Sequence, residues 1–171
     1  SLVIIPNNVP AVRSNDTKYP YRANSYMLYL SGWEESNSVL VLSNTKEVSE
    51  SILCVKPRDV KKEIWEGRII GLEGAISHWP VSHSESILNF EKLIQSKLEN
   101  HSNLFLLDGI NPEIDTVVLD LWKGEVLDPR IHLDEMRSIK SNFEIELMRK
   151  ASTIASAAHV KAMSISRPGN R

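Results

Sequence analysis

Short apolar runs of branched residues, each closed by Asn, Ser, Gly or Pro, give way halfway along the chain to apolar residues at helical spacing. This change of rhythm limits the folds open to the chain. Runs at residues 2–5, 26–30, 39–42 and 52–55 read as strands separated by turns. Gly32 is placed to turn the second run back onto the third, which predicts that 26–30 and 39–42 pair as antiparallel neighbours. Further on, Ile87, Phe90, Ile94 and Leu98 recur with charged residues between them, predicting an amphipathic helix over 85–98. Residues 103–107 form a buried-strand run closed by Asp108-Gly109, and Pro112 opens a helix through Ile114, Val117, Val118, Leu121 and Trp122. A sheet-rich start followed by alternating strand and helix predicts an α/β fold, a mixed β-sheet flanked by helices.

Residues 123–131 carry Gly124 and Asp128-Pro129 and read as a connection. After it, Ser141 and Glu144 have the spacing of a capping box, in which each side chain satisfies a free amide at the start of a helix. Ile145, Met148, Ala151, Ala155, Ala158 and Ala162 line one face of that helix until Arg167-Pro168-Gly169 stops it. So small a face permits close approach to a partner surface, expected from sequence beyond Arg171. The start at Ser1 reads as a strand entered abruptly, without the basic flank of a signal peptide.

The 171 residues suffice for one domain plus a remnant, and a domain of this size buries ~70% of its unfolded surface. A formal charge of -2 offers no clustered basic face, which argues against nucleic acid as the main partner. No apolar stretch approaches the ~20 residues that cross a bilayer. Cys54, the single cysteine, lies in the apolar run Ile52-Leu53-Cys54-Val55; it reads as a small buried hydrophobe suited to a reducing cytoplasm.

Motifs that carry chemistry are missing: there is no nucleophile elbow, phosphate-binding glycine loop, dinucleotide fingerprint or HExxH helix. The five histidines are scattered, His78 and His83 forming a loose pair in an expected loop, and none has an acidic partner at metal-ligand spacing. Glu34-Glu35, Asp134-Glu135 and Glu144 suit solvated turns or helix starts. Asp59, Glu63 and Glu66 among Lys61, Lys62 and Arg68 read as a hydrated charged face. Trp65 stands within that face, either as cover over a sheet edge or as an exposed interface anchor.

Several blocks resemble one family. Tyr19-Pro20-Tyr21-Arg22-Ala23-Asn24-Ser25, then Tyr29-Leu30-Ser31-Gly32-Trp33-Glu34-Glu35 and Val39-Leu40-Val41-Leu42, resemble the start of aminopeptidase P. Arg58-Asp59 with Glu63-Ile64-Trp65-Glu66-Gly67-Arg68 is similar to its next block. Met136-Arg137-Ser138-Ile139-Lys140-Ser141 with Glu144-Ile145 resembles the junction to its catalytic domain, and Ala158-His159 with Arg167-Pro168-Gly169 fits that domain's first helix. Ser31 replaces the commoner Thr, and the helix that usually precedes the first strand is missing.

The resemblance implies an amino-terminal creatinase-type domain at 1–132, followed at 133–171 by a linker and the first helix of a pita-bread catalytic domain. It implies no metal ligand in this segment and two manganese ions in the catalytic domain beyond it, held by two Asp, one His and two Glu. In the family's reaction a metal-bridging water attacks the carbonyl of an Xaa-Pro bond. The expected partners are the chain's own catalytic domain, further copies in a homodimer or homotetramer, and proline-containing peptides, in the cytoplasm. For substrate access or subunit contact the resemblance points to Trp65, with Asp16, Tyr21, Arg22 and Arg58 as further candidates. Tyr21 and Arg22 have a preferred structural reading, that an aromatic and a guanidinium tie a loop to the sheet. Two alternatives are a prolidase of the same architecture and a catalytically inactive relative that binds peptides or proteins.

Overall fold

The computed structural model describes residues 1–169, which divide into two compact units, Ser1–Arg130 and the residues from Ile131 onward. In the first unit a six-stranded sheet is built from β1 (Leu2–Pro6), β4 (Val39–Asn44), β5 (Ser49–Val55), β6 (His83–Ser86), β7 (Leu104–Leu106) and β8 (Val126–Leu127). Its spatial order is β6-β5-β4-β1-β7-β8. β4 runs antiparallel to both β1 and β5, whereas the β5–β6, β1–β7 and β7–β8 pairs are parallel, so the sheet is mixed as the sequence rhythm predicts. A separate hairpin joins β2 (Val12–Ser14) to β3 (Thr17–Lys18).

Alternation along the strands sends Leu2, Ile4, Val39, Val41, Ile52, Cys54, Leu104 and Leu106 to one face. There they meet Phe90, Ile94 and Leu98 of α4 (Phe90–Leu98) and Ile114 and Val118 of α5 (Pro112–Leu121). The opposite parity, including Ile5, Leu40, Leu53 and Val55, is also buried. On that side α1 (Ser25–Ser31) contacts β1, and α3 (Gly71–His78) contacts β5 and β6. With helices over both faces, the central strands read as continuous apolar runs. Cys54 is buried within this core, where desolvation first and the nearby Glu85 second push its thiol up to about 12.

Three expectations need correction. Residues 26–30 are helical, because α1 spans Ser25–Ser31, so no strand exists there to pair with β4. The Asn24 side chain caps the helix by accepting from the Tyr26 amide at 2.8 Å, Gly32 closes it with φ 72°, and the buried pair Met27 and Ser31 has i, i+4 spacing. Second, the helix expected over 85–98 starts later: β6 runs through Glu85 to Ser86, a 3-10 turn covers Ile87–Asn89, and α4 begins at Phe90. His78 and His83 accordingly sit at the end of α3 and the start of β6, and not in a loop. Third, the 123–131 connection contains strand β8 and the first two residues of α6 (Arg130–Ser138).

The second unit contains the rest of α6 and α7 (Asn142–Ile165). The capping box is formed: Ser141 Oγ accepts from the Glu144 amide at 3.3 Å, and Glu144 accepts from the Ser141 amide at 2.7 Å. α7 ends before Pro168, and no side chain on it is buried. No helix among the described residues is long and apolar enough to cross a membrane.

Candidate functional site

Two excursions from the sheet carry the five candidate residues. The first leaves the end of β1 and returns at α1, and the side chain of Asn7 closes its base. Asn7 is 1% exposed; its Nδ2 donates to Glu35 O and Ser38 Oγ, both at 3.0 Å, and its Oδ1 accepts from the Asn8 amide at 3.0 Å and the Asn24 amide at 2.7 Å. Every polar position of that amide is used.

Tyr21 and Arg22 belong to the same base. The Tyr21 hydroxyl donates to Asn8 O at 3.0 Å, and Asn8 Nδ2 donates to Arg22 O at 2.9 Å. Desolvation raises the Tyr21 phenol to about 12, keeping it the neutral donor this bond needs. The Arg22 guanidinium donates to Ala23 O at 3.3 Å and Ser25 Oγ at 3.1 Å, lying across the entry to α1. Both side chains thus tie the loop to the sheet margin. Asp16 is far along the excursion, at the tip of the β2–β3 hairpin beside Asn15, whose φ is 48°. Every residue of β2 and β3 is exposed.

The second excursion carries α2 (Val60–Glu66), a seven-residue helix that the sequence rhythm does not reveal. Asp59 caps it, its Oδ1 accepting from the Lys61 amide at 3.0 Å and the Lys62 amide at 3.3 Å. Trp65 is 89% exposed, and Val60 and Ile64 are exposed beside it, so the indole is a free surface group and not a cover over a sheet edge. Arg58 precedes the helix and grips Glu63 with a forked pair of bonds, Nε to Oε1 at 2.8 Å and Nη2 to Oε2 at 3.1 Å. That guanidinium, and next the Ile69 amide, hold the Glu63 carboxyl below the usual carboxylate range.

The structure therefore joins Tyr21 with Arg22, places Arg58 on the same excursion as Trp65, and leaves Asp16 on a tip of its own. Asn7 and Glu63 organise the two excursions and were not singled out from the sequence as site residues. The legible signal for each was weak: an Asn just past a strand, and a Glu five residues after an Arg.

Two metal ions are implied by the family likeness, and the side chains here do not fit such a centre. Among the described residues no group of three or more His, Cys, Asp or Glu side chains could hold an ion. No hydrolytic step is assigned to them.

Residues 1–106 match the protein family described as Aminopeptidase P, N-terminal domain. The chain is 37% identical over 170 residues to an Xaa-Pro aminopeptidase of Haemophilus influenzae, covering 98% of this chain and 40% of that protein. It is 32% identical over 171 residues to an Xaa-Pro aminopeptidase of Escherichia coli, covering 92% of this chain and 39% of that protein. A solved structure of proline aminopeptidase P II from Yersinia pestis superposes with a TM-score of 0.92 at 31% identity, over 99% of this chain and 42% of that one. The chain thus spans about two fifths of the length of these relatives.

Proposed function

Because this chain belongs to the aminopeptidase P N-terminal domain family, we propose that it is the accessory domain of an Xaa-Pro aminopeptidase, a hydrolase that removes the first residue of peptides with proline second. The observation that carries this reading is the continuity of the likeness, which extends beyond the family match at 1–106 to 98% of the chain. Residues 1–132 are the accessory domain and 133–171 lead into the catalytic one, which holds the metal centre, manganese being the expected ion. The whole protein acts in the cytoplasm as a homo-oligomer.

Within that arrangement the accessory domain restricts which peptides reach the catalytic centre. An indole that is 89% exposed on a short helix has no packing duty inside its own domain, which suits contact with a neighbouring subunit or with a bound peptide. Trp65 therefore lines the substrate path of a neighbouring subunit and packs on peptide side chains or the proline ring. Asp16, on the exposed hairpin tip, is a second such residue. Tyr21, Arg22 and Arg58 support these two from below.

The test uses the full-length protein with an Xaa-Pro dipeptide and an Xaa-Pro-Yaa tripeptide as substrates. Cleavage of the tripeptide is expected, and a strict dipeptide preference would make the protein a prolidase instead. Trp65→Ala should lower kcat/KM roughly tenfold or more while leaving the unfolding free energy within about 0.5 kcal/mol of wild type. Unchanged kinetics would remove Trp65 from the substrate path.

A further inference from the structure

Among the described residues α2 has no buried side chain to hold it: Val60, Ile64 and Trp65 all face solvent, and its seven residues are too few to be stable alone. Glycines with positive φ bound the segment that follows, Gly67 at 84° and Gly71 at 68°. A helix with neither an apolar anchor nor stiff flanks keeps a fixed orientation only if polar contacts impose one. The Glu63 side chain is only 14% exposed, whereas its partner Arg58 is 57% exposed. Its carboxylate takes the Arg58 fork from before the helix, and its Oε1 also accepts the Ile69 amide from beyond it at 3.1 Å. One acidic group thus spans the excursion from entrance to exit.

The neck of the same excursion is closed by close approach. A Cβ added at Gly71 would stand 3.2 Å from Arg58 Cβ and 3.5 Å from the Arg58 amide nitrogen, so Gly71 lies against Arg58 itself. The next anchors are Ile69, which is buried, and the Ile70 amide, which donates to Glu35 Oε1 at 2.9 Å. Among the described contacts, the α2 backbone and the Glu63 carboxylate connect Trp65 to this neck.

We infer that Glu63 is a positioning residue, a latch that fixes α2 and with it the direction in which Trp65 is presented. The inference rests on the proposed role of Trp65 for its functional meaning, although the latch itself is a property of this chain. It makes access to the peptide path depend on the charge pair of Arg58 and Glu63.

The experiment measures backbone amide exchange and the Trp65 indole resonance by NMR in the full chain, for wild type, Glu63→Gln and Arg58→Lys. Glu63→Gln keeps shape but loses the charge, and Arg58→Lys keeps the cation but loses the fork. Both should speed exchange of amides 61–69 on the order of tenfold and shift the Trp65 indole signal, with exchange in β1, β4 and β5 unchanged. Unchanged exchange over 61–69 in both variants overturns the latch. So does an equal loss of protection across the sheet, which would make Glu63 a residue of global stability. In the full-length enzyme Glu63→Gln should mimic a part of the Trp65→Ala defect. If Trp65→Ala leaves turnover intact while the exchange result holds, the functional reading fails and the latch stands. If Trp65→Ala impairs turnover while Glu63→Gln changes neither exchange nor turnover, the latch alone fails.

Discussion

Replacing Asn7 with Ala should unsettle the base of the first excursion more than any single change on its exposed arm. The side chain makes four hydrogen bonds, and their loss is uneven. Glu35 O and Ser38 Oγ keep one another, because the Ser38 hydroxyl donates to Glu35 O at 2.9 Å. The amides of Asn8 and Asn24 have no such substitute, and that of Asn24 is buried at the start of α1. A buried donor left unsatisfied costs about 1–3 kcal/mol. With one amide buried and one partly solvated, the expected loss is about 2–4 kcal/mol, a large share of the roughly 5–15 kcal/mol that domains possess. Asn7→Asp separates the two halves of the effect: its carboxylate still accepts from both amides but cannot donate to Glu35 O. It should cost at least as much as Asn7→Ala at neutral pH, because it buries a charge and sets a carboxylate oxygen against the Glu35 carbonyl. Urea unfolding followed by the fluorescence of Trp33, which is buried with its ring centroid 4.8 Å from that of Trp79, reports both. An Asn7→Ala unfolding free energy within about 0.5 kcal/mol of wild type, at unchanged slope, would refute the claim that this amide holds the excursion closed.

Two further outcomes follow from single contacts. Glu50 is held below its ordinary value of 4.5 chiefly by its hydrogen bond with Lys97, with Ser43 and His83 adding to the effect and burial opposing it. A folded value below the unfolded one gives stabilisation that is complete above that ordinary value and is lost as pH falls through the folded one. The urea midpoint of Lys97→Met should therefore fall less than that of wild type between about pH 6 and about pH 3.5, and parallel falls would count against the pair. Gly32→Ala should cost roughly 1 kcal/mol, from left-handed backbone strain. At φ 72° a side chain is strained, while the added Cβ meets only Trp79 Nε1, at an ordinary 3.9 Å. A neutral result in chemical unfolding would show that α1 ends without needing that conformation.

The parts of the fold legible in the sequence are those where one signal dominates. The runs at 2–5, 39–42 and 52–55 are strands because branched residues fill both parities of centrally placed elements. The Ser141/Glu144 cap and Pro112 mark real helix starts. Misreadings occur where a short apolar run fits two periods. Tyr26-Met27-Leu28-Tyr29-Leu30 fits a strand as easily as a helix, and only the cap at Asn24 and the left-handed Gly32 decide it. α2 is invisible for the opposite reason: none of its described side chains is buried, so no apolar period exists to be read. The candidate residues were found by likeness of short blocks, whereas Asn7 and Glu63 act through partners 17 and six residues away, respectively, which no local pattern encodes.

That difference has a physical origin. In the first unit the sheet buries both faces, so its side chains are committed to the core and little of it is free to meet anything else. Residues that are to project must leave the sheet on segments that bury few apolar side chains, and such segments gain little from the hydrophobic effect. Their conformation must then come from directional contacts: a fully satisfied Asn7 under one excursion, a forked Arg58–Glu63 pair inside the other. Changes at Trp65 or Asp16 should leave sheet stability nearly untouched and changes at Glu63 should alter presentation, while changes at Asn7, whose hydrogen bonds are buried, should lower stability as well. Stability and presentation are therefore separable by mutation in this domain. A substitution at Trp65 that lowered the cooperative unfolding of the sheet by several kcal/mol would mean that the exposed helix is coupled to the core after all.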